Sequence, residues 1–381
     1  MRSFWSDTIR LFDGLEDLTM DYAVIMAGGT GKRLWPLSRQ KRPKQVLKLI
    51  DGQTLLRCCY ERLAPIFDAK NIIVLTNAGY VDVVRENLPE LSSDNVIAEP
   101  AVRDTSGAIG LISTVLTKHD PQATIAVVTA DQIIKPADVL QQAIKDALVF
   151  VNNNPDNMIT FGIQPTFAST GLGYIKCNNA LEYPGCKNKI YSVEAFKEKP
   201  DEQTAKEYIN TGQYFWNSGM FVWKAKTILD YLHKFLPEVA EPLARIQADW
   251  GSPNQQQTLR DWFVKLPKIS IDFAVMEKAD NVHAIKLDCR WLDLGSFPAL
   301  ANIITPDTDN NIVIAGTNEL LDCKNNIIVT EDKGHLIAAI GAENMIVVHT
   351  PDATLVCPID QADKLKELLE LIKQHGGEKF L

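Results

Sequence analysis

The stretch MAGGTGKRLWPLSRQKRPKQVLKL, residues 26–49, gathers three glycines and seven Lys or Arg without one acid, in a chain whose net charge is −9. Glycines let bare backbone amides approach an anion, and cations following such a loop can hold phosphate oxygens. Spacing separates the phosphate-loop schemes. A Walker loop needs a glycine where Met26 stands and a hydroxyl where Arg33 stands, so it is excluded. A dinucleotide fingerprint starting at Gly29 needs a third glycine at the position of Leu34, which leaves that reading weak. What remains is a strand, a glycine loop and a row of cations serving a small anion. A solvated basic surface is the plainer alternative for Arg39, Lys41, Arg42 and Lys48.

Other chemistries drop out. The six histidines are spread singly, with neither H-E-x-x-H nor G-x-S-x-G, which removes the commonest zinc-hydrolase and serine-hydrolase readings. Seven scattered cysteines without a C-x-x-C pair fit thiols of a reducing cytoplasm, not a disulfide frame or zinc site. An acidic whole argues against nucleic-acid binding, which needs broad basic surface. No run of about 18 apolar residues and no secretion-signal centre is present, so neither membrane nor export is expected.

The elements that must position the loop follow from periodicity. YAVIMAG, NIIVLTN, NVIAEP, TIAVVTAD and MITFGI read as buried strands, and LLRCCYERLAPIF, the span after Ala101 and VLQQAIKDALVFV as helices packed on them. Alternation of this kind predicts an α/β fold with a doubly wound, mainly parallel, Rossmann-like sheet. Ligands of such sheets sit beyond the carboxyl ends of the strands, where AGGTG, AEP and TAD each fall. Past about residue 300 the short runs NIVIAG, NIIVTED, LIAAIG, MIVVHT and TLVCPI predict a small β-rich, β-helix-like or roll-like domain closed by the amphipathic helix ADKLKELLELIKQ. The expected layout is an extension over 1–20, a catalytic domain over 21–300 and a second domain over 301–381. Residues 1–20 have no counterpart in it. Translation starting at Met20 and a short N-terminal helix are the two readings of that segment.

The residues also carry a family likeness. GGTGKRLWPLSRQKRPKQ resembles the signature of the sugar-nucleotide pyrophosphorylases, and LWPLSR resembles in particular that of the mannose-1-phosphate guanylyltransferases. AEPAVRDTSGAI, TADQII, FGIQPTFASTGLGYI, FKEKP, WNSGMFVW, SIDFAVMEK and WLDLGSF follow in that family's order, and AIGAENMIVVHTPDATLVC is similar to its second domain. The resemblance implies a nucleotidyltransferase that joins GTP and mannose 1-phosphate to give GDP-mannose and pyrophosphate, as a cytoplasmic homodimer. Ala27, Gly28, Gly29 and Gly31 would wrap the triphosphate, Lys32 and Arg33 would hold its β and γ phosphates, and Lys44 would face the reacting phosphates. Asp131 and Asp293 stand where the family binds its divalent ion, Mg²⁺ or Mn²⁺. Such an ion accepts one or two carboxylates together with substrate phosphates, although an aspartate after a strand also commonly caps a helix. Glu198, Lys199, Asn217 and the Gly171–Gly173 turn would line the sugar pocket, with Asp272 in support. Glu99, Arg103 and Thr105 would meet the nucleotide, Glu99 by accepting from guanine N1 and N2.

Some positions depart from the family wording. Asp104 and Ser106–Gly107 stand in place of RNTAP, Gln132 in place of a histidine, and Leu172 in place of a tyrosine. Two rivals therefore stay open: a sister enzyme using another sugar phosphate or nucleotide, and a silent nucleotide-sugar sensor.

Overall fold

A strand covered on both faces needs apolar residues at consecutive positions, and this chain supplies them repeatedly. The computed structural model describes residues 20–49, 52–302, 304–314, 316–332 and 334–381, so the readings for residues 1–19 lie outside the described residues. In chain order the first elements are β1 (Asp21–Met26), α1 (Leu55–Leu63), β2 (Ile72–Asn77), α2 (Val81–Asn87), β3 (Val96–Glu99), α3 (Asp104–His119), β4 (Thr124–Thr129), β5 (Gln132–Lys135), α4 (Ala137–Asn153) and β6 (Met158–Ile163). There follow β7 (Tyr174–Leu181), β8 (Ile190–Lys197), α5 (Glu202–Thr211), β9 (Tyr214–Lys224), α6 (Ala225–Phe235), α7 (Ala240–Asp249), α8 (Gln255–Phe263), β10 (Val282–Leu287) and β11 (Arg290–Asp293). The five runs read as strands are β1, β2, β3, β4 and β6, and the three helical spans are α1, α3 and α4.

The main sheet runs β3–β2–β1–β4–β9–β6–β10–β8–β7. Its first four strands are parallel, as are β6 and β10, whereas β9 enters antiparallel between β4 and β6. Alternate residues of each central strand feed opposite layers. Ala23 and Ile25 of β1 join the core under α1 and α4, and Tyr22 and Val24 join the core under α3, α6 and α7. β9 carries YFWNSGMFVWK, almost wholly buried, and so delivers Asn217 from the middle of the sheet.

The carboxyl part is a short stack of parallel rungs: β12 (Ile312–Ile314), β13 (Thr317–Leu321), β14 (Ile327–Thr330), β15 (Leu336–Ile340) and β16 (Met345–Thr350), with β17 (Ala353–Pro358) antiparallel to β16 and helix α9 (Leu365–Gln374) at the end. Each β12, β14 or β16 rung is entered through an asparagine in left-handed backbone, Asn310, Asn325 and Asn344 at φ 61°, 54° and 56°. Asparagine tolerates that region best among residues with a side chain, and stacked amides can bond from rung to rung. Asn310 Nδ2 donates to Asn325 Oδ1 at 2.8 Å, and Asn325 Nδ2 donates in turn to Asn344 Oδ1. These three asparagines are spaced 15 and 19 residues apart, a repeat too uneven to read as periodic.

The two parts share a core. Leu34, Trp35 and Leu37 of the glycine-loop segment pack with Ile133, Leu292 and Leu294, and with Ile327, Val329, Ile346 and Val348 of the rungs. The apolar half of LWPLSR is thus a joint that seats the β-stack beside the glycine loop. Among the described residues no helix is long and apolar enough to cross a membrane.

Candidate active site

Asp131 and Asp293 are far apart in sequence and are brought together by one ribbon. After β4 the chain turns into β5, which pairs antiparallel with β11 in a register that sets Gln132 opposite Asp293. The bond from Leu294 N to Asp131 O, 3.2 Å, closes the ribbon end. Burial, and then the Asp131 carboxylate, push the Asp293 carboxyl up to about 6. Lys44 is the cation set against this pair: its Nζ touches Asp131 Oδ2 and donates to Leu294 O at 3.4 Å. Burial alone would depress the Lys44 ammonium, but Asp131 and Asp293 outweigh it and the net shift is upward. The close approach of Lys44 depends on Gly31, at φ 68°, where a Cβ would lie 2.6 Å from Lys44 Cβ.

A cavity of about 280 Å³ opens from the carboxylate pair and is walled by the sugar-side residues. Asn217 is held at three points: Oδ1 accepts from Thr160 Oγ1 at 2.7 Å, Nδ2 donates to Asp272 Oδ1 at 3.1 Å, and its backbone N donates to Gly173 O at 2.8 Å. Glu198 is 7% exposed, ion-paired with Lys199, and its amide donates to Glu277 Oε1 at 2.9 Å. Gly173 is needed there, because a Cβ would stand 2.4 Å from Glu198 Oε2. Asp272 opens a π-helical turn, Asp272–Met276, and burial lifts its carboxyl above the usual range. Gln132 donates to Ser218 O and accepts from Trp291 Nε1 at 3.0 Å, so it works as a strut of the cavity wall, which Leu172 also lines.

On the nucleotide side, Ala27 is pinned from both ends: its N donates to Leu75 O at 2.8 Å and its O accepts from Thr76 Oγ1 at 3.0 Å. Glu99, 9% exposed, lies so close that a Cβ on Gly28 would be 3.1 Å from its Oε2. Burial, and then the neighbouring Asp104 carboxylate, push Glu99 up to about 7. Thr105 Oγ1 accepts from Ile271 N at 2.8 Å and lines the cavity. Arg33 lines a second cavity, of about 780 Å³, that meets the first at Trp291 and Asp293.

Two anticipated residues are not brought in. Lys32 Nζ sits 3.5 Å from Glu370 Oε1 of α9, with more than half of each side chain exposed, and the Arg103 guanidinium donates to Val264 O. Neighbouring cations also turn away from the cavity. Arg42 forks onto Glu331, 2.7 Å from Nη2 to Oε1, and Arg39 donates to Asp352 at 2.7 Å, to Thr350 Oγ1 at 3.1 Å and to Phe380 O. The stretch after the glycine loop is thereby latched to the β-stack.

Residue types and spacing did not single out Gln45, Thr160 or Glu277. Gln45 is 2% exposed, its Oε1 has no partner among the described residues, and its Nε2 is the group nearest to where a Gly29 Cβ would stand, at 3.3 Å. A buried acceptor left open costs stability, so this amide is poised for a ligand or water. Its only sequence signal is its place beside Lys44 at the end of GGTGKRLWPLSRQKRPKQ, where the charge of Lys44 draws attention first. Thr160 and Glu277 act by holding Asn217 and Glu198, a role visible only in three dimensions.

The arrangement joins clustered carboxylates, a buried ammonium and a cavity rich in directional hydrogen bonds. Residues 22–310 match the family described as Nucleotidyl transferase, and residues 316–372 match the MannoseP isomerase/GMP-like beta-helix domain. A mannose-1-phosphate guanylyltransferase of Klebsiella pneumoniae is 37% identical over 360 residues, 94% of this chain and 75% of that protein. One of Escherichia coli is 36% identical over 360 residues, with the same shares. A crystal structure named as mannose-1-phosphate geranyltransferase from Thermus thermophilus aligns at a TM-score of 0.81 and 31% identity, covering 93% of this chain and 99% of that one.

Proposed function

We propose, from the premise that the chain belongs to the nucleotidyl transferase family, that it transfers GMP from GTP to α-D-mannose 1-phosphate and releases pyrophosphate. Members of this family take a nucleoside triphosphate and a sugar phosphate, and generally use a divalent ion. The observation that carries the reading is the meeting of Asp131, Asp293 and Lys44 at the mouth of a cavity lined by Glu198, Lys199 and Asn217.

A phosphate oxygen of the sugar attacks the α-phosphorus in line, the bond to the β-phosphate oxygen breaks, and pyrophosphate leaves with the electron pair. Both reactants are anions, so the protein's task is charge neutralisation and alignment more than proton transfer. Lys44 donates to the reacting phosphate, Arg33 to the departing one, and the Gly28–Gly31 loop offers backbone amides. Glu198 and Asn217 orient the sugar hydroxyls, and Lys199 reaches its phosphate.

The residues present fit a hard divalent cation: Asp131 and Asp293 meet at one end of the β5–β11 ribbon, burial and then Asp131 make Asp293 hold its proton more tightly than usual, and the Lys44 ammonium touches Asp131. Asp131 and Asp293 would hold the ion, for which we propose Mg²⁺. When bound it supplies charge stabilisation at the phosphates. Assaying pyrophosphate release across sugar 1-phosphates and nucleoside triphosphates tests the assignment. Mannose 1-phosphate with GTP should lead, and equal use of another hexose phosphate would move the chain to a sister activity.

Glu99 is assigned to guanine. An ionised carboxylate accepts from N1–H and N2–H, a pairing that adenine cannot offer. With its carboxyl near 7, Glu99 is mostly protonated at pH 6 and mostly ionised at pH 8. The GTP-to-ATP ratio of kcat/KM should therefore rise about tenfold over that range. ATP shares the phosphate titration, so the ratio isolates the base. Glu99→Gln should flatten the profile and lower the ratio; a wild-type ratio that does not change with pH would remove the assignment.

The 21–300 and 301–381 division remains our proposal for the functional domains. We also propose a homodimer, supported by the apolar strip of Leu321, Leu336 and Ile340, each more than half exposed on β13 and β15. A monomeric mass in light scattering at micromolar concentration would rule it out.

A further inference from the structure

One cluster of metal-ligating side chains has no part in the reaction above. Asp332, His335 and His349, all half-buried, place a carboxylate oxygen and one nitrogen of each imidazole within 4.8 Å of one another. Asp332 and His335 belong to the turn between β14 and β15, and His349 is on β16, so adjacent rungs of the stack bring them together. The rings lie face to face, centroids 3.6 Å apart and 9° from parallel. His349 Nδ1 is engaged with Thr354 Oγ1 at 3.0 Å, and Nε2 has no hydrogen bond among the described residues; an outer hydrogen bond that fixes one nitrogen while the other binds is the usual habit of metal-bound histidine. Asp332 is oriented likewise, because its Oδ1 accepts from Gly334 N at 2.9 Å.

We propose that Asp332, His335 and His349 bind a transition-metal ion of the Zn²⁺ class, at a site separate from the Asp131–Asp293 pair. Two imidazoles and one carboxylate suit a borderline ion and not Mg²⁺, which prefers oxygen throughout. Tetrahedral ligation needs donor separations of roughly 3.3 Å, so the side chains must close by about 1.5 Å at most, a rotation open to half-buried groups. Site and latch are neighbours in sequence. Asp332 follows Glu331, the partner of Arg42, and His349 precedes Thr350, which accepts from Arg39. An ion bound here ties together the two rungs that grip the segment leading to Lys44.

The test is isothermal titration of the full chain with Zn²⁺ in excess Mg²⁺, which keeps the hard carboxylate site filled. Wild type should take up one equivalent that the His335→Gln/His349→Gln variant binds at least 100-fold more weakly, and Zn²⁺ should raise the Tm of wild type by more than that of the variant. The variant keeps all seven cysteines, so zinc held by thiols appears in both titrations and cancels. Wild-type turnover with Mg²⁺ shows that the variant is folded; His335→Gln alone serves if the double variant is not. Equal zinc uptake by wild type and variant, or none by wild type at 100-fold excess, overturns the proposal.

Discussion

Replacing Asp131 and Asp293 together by asparagine is expected to lower turnover by on the order of 10³-fold or more, because it removes the oxygen donors proposed for the divalent ion. A simple loss of fold would look the same in an activity assay, and Asp293→Asn alone separates the two. The Asp293 carboxyl is held near 6, above its ordinary 3.8, by burial and by Asp131. The folded chain therefore binds this proton more tightly than the unfolded one, so stability from this group falls as pH rises from about 4 through 6 and stays lost above it. At pH 7.5 without metal, asparagine should then leave Tm unchanged or raise it. The stabilisation that Mg²⁺ confers on wild type, larger at pH 7.5 than at pH 5, should disappear. Calorimetric scans with EDTA and with Mg²⁺ at both pH values read this directly. Undiminished turnover in the double variant would sink the metal-pair assignment.

Lys44→Met should reduce kcat by about 10²–10³-fold, the usual consequence of losing one preorganised donor to a developing charge. It should also leave Asp131 and Asp293 without the ammonium that touches Asp131, Arg33 and Lys199 being the cations that still act on Asp293. Above pH 6 the apo variant should melt below wild type, and Mg²⁺ should raise its Tm by more than it raises that of wild type, since the added ion then replaces the missing ammonium. A surface lysine would show neither effect. Steady-state kinetics and paired thermal scans check both arms; a kcat within threefold of wild type would return Lys44 to a structural role. The geometry makes the stronger outcome the expected one, because the chain sacrifices a side chain at Gly31 to let Lys44 reach Asp131.

The strands and helices around the site were legible in the sequence for a plain reason. Residues 22–26, 72–75 and 125–128 are apolar at consecutive positions because both faces of the sheet are covered; a strand with one face in water would alternate instead. The antiparallel entry of β9 was not legible. Apolar runs record burial but not direction, and direction depends on which neighbour the strand meets. Family motifs named Asp131, Glu198 and Asn217, which line one cavity; Thr160 and Glu277, which hold Asn217 and Glu198, were not named, because a hydrogen bond between distant segments leaves no local trace.

By itself the sequence determined the α/β class, the glycine loop after β1, the excess of cations behind it and the carboxylates at strand ends, all properties of composition and short-range spacing. Only the tertiary structure decided how those cations divide. Lys44 turns in to the Asp131–Asp293 pair and Arg33 borders the adjoining cavity, while Lys32, Arg39 and Arg42 bind acids of the β-stack and its closing helix. Charge along a chain is a sum, but a cation's role is set by the nearest opposite charge, and folding chooses that partner from segments far away along the chain.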